Sequence, residues 1–291
     1  FWASITKSFS KLGENMQGSK TLDFWNRLHD QNAAEESIEW IVHPSSLLET
    51  LMSNIPSTPR VLEIGCGTSS LSKCLYEHVM PAEFCVTDVS PVCIQHNESR
   101  DAEFLQKHSS QFTYQVWNIL EDIDQQPHTI EGKPFDVILD KGCLDTFLFR
   151  SETKLHYSLI STFLRFLLKW TKEKYLVITP RPKLPPLLRD YPGFSNLTRH
   201  TLTEGLADLE GDHTRRKQAV YLHVCIVDRT YKPTSSLLDQ KLSNEDETIV
   251  CDHCGISSND FLGGLNPGLP EVKKLRQWRG HQIHCRATVQ N

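Results

Sequence analysis

The glycine-rich turn EIGCGT, residues 63–68, is the first part of this sequence whose residue types could do chemistry. Glycines let a backbone approach a ligand closely, and the amide groups at the start of the following helix are free to donate hydrogen bonds. A dinucleotide-binding turn would carry a third glycine at position 70, where Ser70 stands, and a phosphate-binding loop would carry a G-K-[ST] word, which is missing here. The turn therefore argues against both of these ligands.

Two carboxylates near this turn restrict the class of ligand further. Glu63 lies within the turn, where it would repel a pyrophosphate but would attract the amino group of a cationic ligand. Asp88 ends the next strand-like run, 21 residues after Gly67, a position from which a carboxylate accepts hydrogen bonds from ribose hydroxyls. The pattern favours a nucleoside that carries an amino acid moiety, and the alternative is a tight turn in some other α/β protein.

Strand-like and helix-like runs alternate along the chain and would position these residues. The predicted strands are 60–65, 83–88, 112–117, 135–140, 175–179 and 219–227. Helical patterns occur within 22–51, over 66–78, from Ser90 onwards and over 154–170. This alternation predicts an α/β fold with a parallel sheet that is covered by helices on both faces.

Composition excludes several classes of protein. The 31 basic and 36 acidic residues give a net charge of −5, so no overall field attracts nucleic acid or anionic lipid. The longest apolar runs are far shorter than the ~18 residues of a membrane-spanning helix. Nine cysteines among 291 residues are too few for a disulfide scaffold. We therefore expect no membrane span and no DNA partner.

Several sequence words resemble those of a known family. VLEIGCGTSSL at 61–71, DVSPV at 88–92 and LDKGCLD at 139–145 are similar to motifs of the seven-strand S-adenosylmethionine-dependent methyltransferases. FWNRLH at 24–29 and EW at 39–40 resemble the N-terminal helix of their methyltransferase-like group. That group includes elongation factor 1-alpha lysine methyltransferases and citrate synthase lysine methyltransferase, to which the words are most similar. The resemblance extends over about 22–228.

The resemblance implies a Rossmann-like seven-strand sheet, S-adenosyl-L-methionine as cofactor and a protein lysine side chain as substrate. It implies that the methionine part of the cofactor lies at Gly65 and Gly67, its amino group near Glu63 and its ribose at Asp88. Asn118 stands where an aspartate is usual, and its carbonyl could accept a hydrogen bond from the adenine amino group. The expected cofactor-binding set is Glu63, Gly65, Cys66, Gly67, Asp88, Ser90 and Asn118. The resemblance implies citrate synthase as the substrate protein. The alternatives are a lysine methyltransferase of the elongation factor 1-alpha type and a non-catalytic methyltransferase-like binding module.

Methylation of a lysine requires the loss of a proton from an ammonium whose pKa is near 10.4, so a neighbouring carboxylate or an apolar site has to assist. Asp140, at the end of the predicted strand 135–140, is the first choice for orienting the amine or accepting its proton, with a structural cap as the alternative. Asp145 is the second choice, and it could instead be a partner of the helix dipole. Lys141, between them in sequence, is expected to be a solvated charge.

The same segment argues against amino methylation of nucleic acid bases. Enzymes of that kind place a [DN]-P-P-[YF] word after the fourth strand, where an aromatic face holds the flipped base. Here the word is DKGC, with no proline pair and no aromatic residue.

Cysteines and histidines near the C-terminus form a second candidate site. A C-x-x-C pair at 251–254 and the HQIHC word at 281–285 have the short internal spacing of a closed zinc site. The predicted ligands are Cys251, Cys254, His281 and Cys285. A reduced tail without metal is the alternative. The expected organisation is an N-terminal tail over 1–21, a methyltransferase domain over 22–228, a polar linker over 229–250 and a zinc-binding tail over 251–291.

The first thirteen residues bear on location. They hold Lys7 and Lys11, four hydroxyl residues and no acid, and their apolar residues recur at helical spacing. This pattern is typical of the end of a mitochondrial targeting segment, and a polar tail is the alternative. The sequence therefore predicts the mitochondrial matrix, with the cytoplasm as the alternative.

Overall fold

A computed structural model describes residues 19–31, 39, 41–121, 133–148, 154–184, 186–189, 191, 193–202 and 219–231. Both terminal predictions, the targeting segment over 1–13 and the zinc-binding tail over 251–291, lie outside these residues.

The described residues form a seven-stranded sheet with the order β3-β2-β1-β4-β5-β7-β6. Its strands are β1 (Arg60–Ile64), β2 (Glu83–Asp88), β3 (Phe112–Val116), β4 (Phe135–Lys141), β5 (Thr171–Thr179), β6 (Phe194–Leu202) and β7 (Val220–Val227). β7 runs antiparallel to both of its neighbours, β5 and β6, and the pairs on the other side of β5 are parallel. This strand order is typical of class I methyltransferases and confirms the predicted α/β fold class. The sheet is mixed, whereas the alternation of strands and helices predicted a parallel one, because within the described part of the chain β6 and β7 follow each other without a helix between them.

Helices separate most of the strands. They are α1 (Ser19–Gln31), α2 (Leu48–Met52), α3 (Leu71–Val79), α4 (Pro91–Arg100), α5 (Ala102–His108), α6 (Cys143–Leu148), α7 (Lys154–Trp170) and α8 (Pro186–Arg189). The central strands β1 and β4 are buried along nearly their whole length because parallel strands are covered on both faces. Within the described part of the chain, no helix has the length and apolar composition needed to span a membrane.

Two regions differ from the sequence prediction. The helical pattern over 22–51 is divided among α1, a short 3-10 helix at Pro44–Ser46 and α2. The sequence did not predict β6 because most of its side chains are exposed and polar, so it shows neither an apolar run nor a clear alternation.

The order of strands creates a crevice at the middle of the sheet. From β1 the chain adds β2 and β3 on one side, and it then crosses over to place β4 on the other side of β1. The loops that follow β1 and β4 leave the sheet in opposite directions, and this is where open α/β sheets bind their ligands. The motif words at 63–68 and 139–145 both lie at this point.

Candidate functional site

The turn after β1 depends on glycine for two separate reasons. Gly65 and Gly67 have φ angles of +60° and +55°, which are in the left-handed region. A Cβ atom on Gly65 would also lie 2.8 Å from the Cβ and the Sγ of Cys143. The turn is therefore packed directly against the first residue of α6, on the opposite side of the crevice.

Glu63, near the end of β1, is fully buried, and no described residue donates a hydrogen bond to either oxygen of its carboxylate. Burial raises the pKa of Glu63 to about 8, although the nearby ammonium of Lys141 opposes the shift. Buried acceptors are almost always paired in folded proteins. The carboxylate consequently has the position and the unused capacity to accept hydrogen bonds from a bound ammonium group.

Asp88, at the end of β2, connects two turns. Its Oδ2 accepts a hydrogen bond from the amide of Gly67 at 3.0 Å, and its Oδ1 accepts one from the amide of Ser90 at 2.9 Å. Each carboxylate oxygen can accept a second hydrogen bond, so the hydroxyls of a ribose could still be bound.

The side chains of Cys66 and Ser90 make their contacts within the protein. The Cys66 thiol is buried in the apolar core, and its amide donates to the carbonyl of Thr87 at 3.0 Å. The Ser90 hydroxyl caps α4 by accepting the amide of Cys93 at 3.2 Å, and it donates to Oδ1 of Asn26 in α1 at 2.6 Å. These two residues can therefore shape a ligand site through their backbone and their contacts.

Asn118 follows β3, two residues beyond its end. Its Oδ1 accepts a hydrogen bond from the amide of Leu120 at 3.2 Å, and the amide of Trp117 next to it donates to the carbonyl of Asp88 at 2.9 Å. The Asn118 carbonyl oxygen is thus oriented by the turn and keeps capacity for one more hydrogen bond.

Asp140, at the end of β4, is fully buried and receives several hydrogen bonds. Its Oδ1 accepts the amide of Cys143 at 2.7 Å, and its Oδ2 accepts the amide of Leu144 at 3.0 Å and the hydroxyl of Tyr175 at 2.7 Å. Burial raises the pKa of Asp140 to about 7. These contacts are those of a cap for the first turn of α6, which is the structural alternative that the sequence left open.

Asp145, in the first turn of α6, has one committed oxygen and one unpartnered oxygen. Its Oδ1 accepts hydrogen bonds from the Thr179 hydroxyl at 3.0 Å and from Nε of Arg181 at 2.7 Å. Its Oδ2 is buried, and none of the described residues donates to it. Burial raises the pKa of Asp145, while Thr179 and Arg181 oppose the shift by favouring the ionised form.

Lys141 corrects one sequence interpretation. It was expected to be a solvated charge, but it is only 7% exposed and its Nζ lies 2.5 Å from Oε2 of Glu39. The Glu39 carboxylate also accepts hydrogen bonds from the hydroxyl of Ser69 at 2.8 Å and from the amide of Ser70 at 2.9 Å. Glu39 therefore joins the turn after β1 to the end of β4.

Sequence reasoning missed Glu39 and Arg181 as members of this site. Glu39 belongs to the EW word that carried part of the family resemblance, so that word was an available signal. Arg181 lies 36 residues after Asp145, and no local pattern connects the two. Conversely, the predicted zinc ligands Cys251, Cys254, His281 and Cys285 lie outside the described residues, so the zinc site stays a prediction.

Comparisons with known proteins agree with this geometry. Residues 62–159 match a family model described as a methyltransferase domain. The eEF1A lysine and N-terminal methyltransferase of Danio rerio is 30% identical over 136 residues, which cover 47% of this chain and 18% of that protein. The mitochondrial citrate synthase-lysine N-methyltransferase of Danio rerio is 27% identical over 144 residues, which cover 44% of this chain and 54% of that protein.

Among solved structures, the magnesium protoporphyrin IX methyltransferase of Synechocystis aligns with 73% of this chain and 99% of its own, with a TM-score of 0.47 and 15% identity. In both curated relatives the match spans less than two thirds of the relative's length. Over residues 62–159 the chain thus matches a methyltransferase domain, and it is distantly homologous to protein-lysine methyltransferases.

Proposed function

We propose that this protein is an S-adenosylmethionine-dependent protein-lysine N-methyltransferase. The observation that carries the proposal is a pair of buried acceptors to which none of the described residues donates. They are both oxygens of the Glu63 carboxylate, on the β1 side of the crevice, and Oδ2 of Asp145, on the β4 side. Buried acceptors of this kind suit two amines, one on the cofactor and one on the substrate.

The β1 side of the crevice fits the cofactor. Glu63 would accept hydrogen bonds from the ammonium of its methionine moiety, and Asp88 would accept them from its ribose hydroxyls. Gly65 and Gly67 keep the turn free of side chains, and Asn118 would accept a hydrogen bond from the adenine amino group. When bound, S-adenosylmethionine supplies a methyl group that is activated by its attachment to a sulfonium.

The β4 side fits the substrate amine. We assign the role of amine acceptor to Asp145 because no described residue donates to its Oδ2. Both oxygens of Asp140, the first choice from sequence, already accept hydrogen bonds from α6 and Tyr175. Thr179 and Arg181 orient the Asp145 carboxylate and favour its charged form. An ionised acceptor in a buried setting can orient the lysine amine and take its proton.

Two protein substrates suggest themselves. Citrate synthase is named by one relative and was the substrate expected from the sequence words, while eEF1A is named by others. The name of the eEF1A relative also mentions N-terminal methylation. An N-terminal amine is a nucleophile of the same kind as a lysine amine, so the proposed site would suit either, and experiment has to identify both the protein and the amine.

The test is transfer of a labelled methyl group from S-adenosylmethionine to purified citrate synthase and to purified eEF1A, followed by mass spectrometry of the labelled peptides. We expect methyl-lysine in one of them and none with an Asp145→Asn variant. Label on an α-amine alone would assign N-terminal methylation. Cofactor binding without transfer to either protein, or to any protein of a cell extract, would instead favour the non-catalytic binding module.

A mitochondrial location is part of the proposal, supported by the pattern over residues 1–13 and by the name of the citrate synthase relative. Cell fractionation tests it. Recovery of the protein with matrix markers would support citrate synthase as substrate, and recovery with cytosolic markers would support eEF1A.

A further inference from the structure

The buried carboxylate of Glu63 lies in a group of unbalanced charge. Among the described residues, Lys141 favours its charged form, whereas Glu39, Asp140 and Asp88 oppose it. Lys141 ends β4, two residues after Leu139, which pairs with Glu63 across the sheet. The Lys141 ammonium donates to Glu39 at 2.5 Å in an ion pair whose two side chains are less than a tenth exposed. Glu63 is the member of this group that no described donor satisfies.

We propose that binding of the cofactor's ammonium is coupled to release of a proton from Glu63. In this proposal Glu39 and Lys141 are positioning residues of the cofactor site, because Glu39 repels the charged form of Glu63 and Lys141 attracts it. The inference rests on the cofactor assignment in the proposed function. It extends that assignment to the protonation state of Glu63, which changes when the cofactor binds. The proton leaves the Glu63 carboxyl for solvent, and an ammonium–carboxylate pair takes its place.

The physical basis is the cost of an isolated buried charge. A carboxylate that is removed from water and has no donor is more stable in its neutral form, and burial accordingly raises the pKa of Glu63 to about 8. An ammonium ion supplies both the opposite charge and the hydrogen-bond donors that are missing, so it stabilises the ionised form. Below the pKa of free Glu63, each cofactor molecule that binds should release close to one proton.

The sign of the pH dependence follows from this linkage. Affinity should rise with pH by up to about tenfold per pH unit while free Glu63 is mostly protonated. It should level off near pH 8, and it should fall only at a pH high enough for the α-amino group of the ligand to lose its own proton.

Calorimetry with two ligands tests the coupling. S-Adenosylhomocysteine carries the ammonium and is stable in alkaline solution, whereas 5′-methylthioadenosine has the same nucleoside without the amino acid part. At pH 6.5, titrations in two buffers of different ionisation enthalpy should show release of nearly one proton with the first ligand and nearly none with the second. The ratio of the two dissociation constants, followed from pH 6 to 9, separates Glu63 from the other acids that face the site.

Two substitutions should shift the pH dependence of S-adenosylhomocysteine binding in opposite directions. Lys141→Met removes an attractive charge, so the rise in affinity should move to higher pH and S-adenosylhomocysteine should bind at least about tenfold more weakly at pH 7. Glu39→Gln keeps one acceptor oxygen, which can still receive the amide of Ser70, and it removes one repelling carboxylate. The rise should then move to lower pH, and fewer protons should be released at pH 7.

General damage to the site would weaken binding in both variants without shifting their pH profiles in opposite directions. The inference is overturned if the wild-type protein binds S-adenosylhomocysteine with no proton release at pH 6.5. It is also overturned if both variants shift the profile the same way. Failure to bind either ligand at any pH would instead remove the cofactor assignment on which the proposed function depends.

Discussion

The two halves of the sheet's carboxyl edge are constructed differently. In the half formed by β1, β2 and β3, contacts join turns that each carry a short sequence word, such as the bond from the Gly67 amide to Asp88. The half formed by β4 and β5 is held by contacts between distant side chains, such as the pair of Asp145 and Arg181. The first half can be recognised from short sequence words, whereas the second becomes visible only when the chain is folded.

Replacement of one Asp145 carboxylate oxygen by an amide nitrogen, in the second half, should have the largest effect on methyl transfer. In Asp145→Asn the acceptor for the substrate amine becomes neutral, so methyl transfer should fall by ~100-fold or more, the scale of a lost general base. Binding of S-adenosylhomocysteine should stay within a few-fold of the wild type, as calorimetry would measure. A variant that retains wild-type turnover would move the role to another group.

Adding one methyl group to the turn after β1 should disable the first half. Gly65→Ala combines an unfavourable left-handed φ with a contact of 2.8 Å to Cys143, and we expect at least ~tenfold weaker cofactor binding. Gly193→Ala is the matched control. Its Cβ would also make close contacts, with the side chains of Leu168 and Tyr191, but this position is not part of the crevice. Equal loss of affinity in both variants would mean that general stability, rather than the turn, is responsible.

Removal of the Arg181 guanidinium should alter the pH dependence of the second half. Arg181 favours the ionised form of Asp145, so Arg181→Gln raises the pKa of Asp145. Since the acceptor works when ionised, the acid limb of the kcat/KM profile should move to higher pH. An unchanged limb with a lower plateau would show that Arg181 acts only on the geometry.

The matched substitution at Asp140 should affect stability more than rate. Asp140→Asn keeps an acceptor for the start of α6 but weakens the contacts with its amides and with Tyr175, so the free energy of unfolding should fall by about 1 kcal/mol. Turnover, measured where the variant is fully folded, should stay within a few-fold. A loss as large as that of Asp145→Asn would return the catalytic role to Asp140.

The smallest effect is expected from the predicted zinc site. If Cys251, Cys254, His281 and Cys285 fill all four positions around the metal, the site is structural, and Cys254→Ser should lower the zinc content without lowering methyl transfer. Metal analysis and activity assays on both proteins would measure this, together with a chain that ends after residue 232. Wild-type protein without stoichiometric zinc would contradict the site, and an inactive shortened chain would make the tail part of substrate docking.

The same contrast explains which features could be predicted. Strands β1, β2 and β4 were predicted nearly to their ends because buried parallel strands are continuous apolar runs, and the predicted helix 154–170 coincides with α7. Lys141 was misjudged because its partner Glu39 lies 102 residues earlier, and no sequence window shows that the pair is buried. The local signal at Asp140 was strong, but its donors include Tyr175, which only the pairing of β4 with β5 brings close.

The position of Arg181 has an evolutionary consequence. It lies after β5, beyond residues 62–159, and its carbonyl accepts a hydrogen bond from Nε2 of His223 on the antiparallel strand β7. On the proposed assignment of Asp145, substitutions around β5 and β7 would reorient Arg181 and so change the preference for the acceptor amine, while the sequence words at 61–71 and 88–92 stay intact. Such substitutions lie outside the stretch that matches the methyltransferase domain.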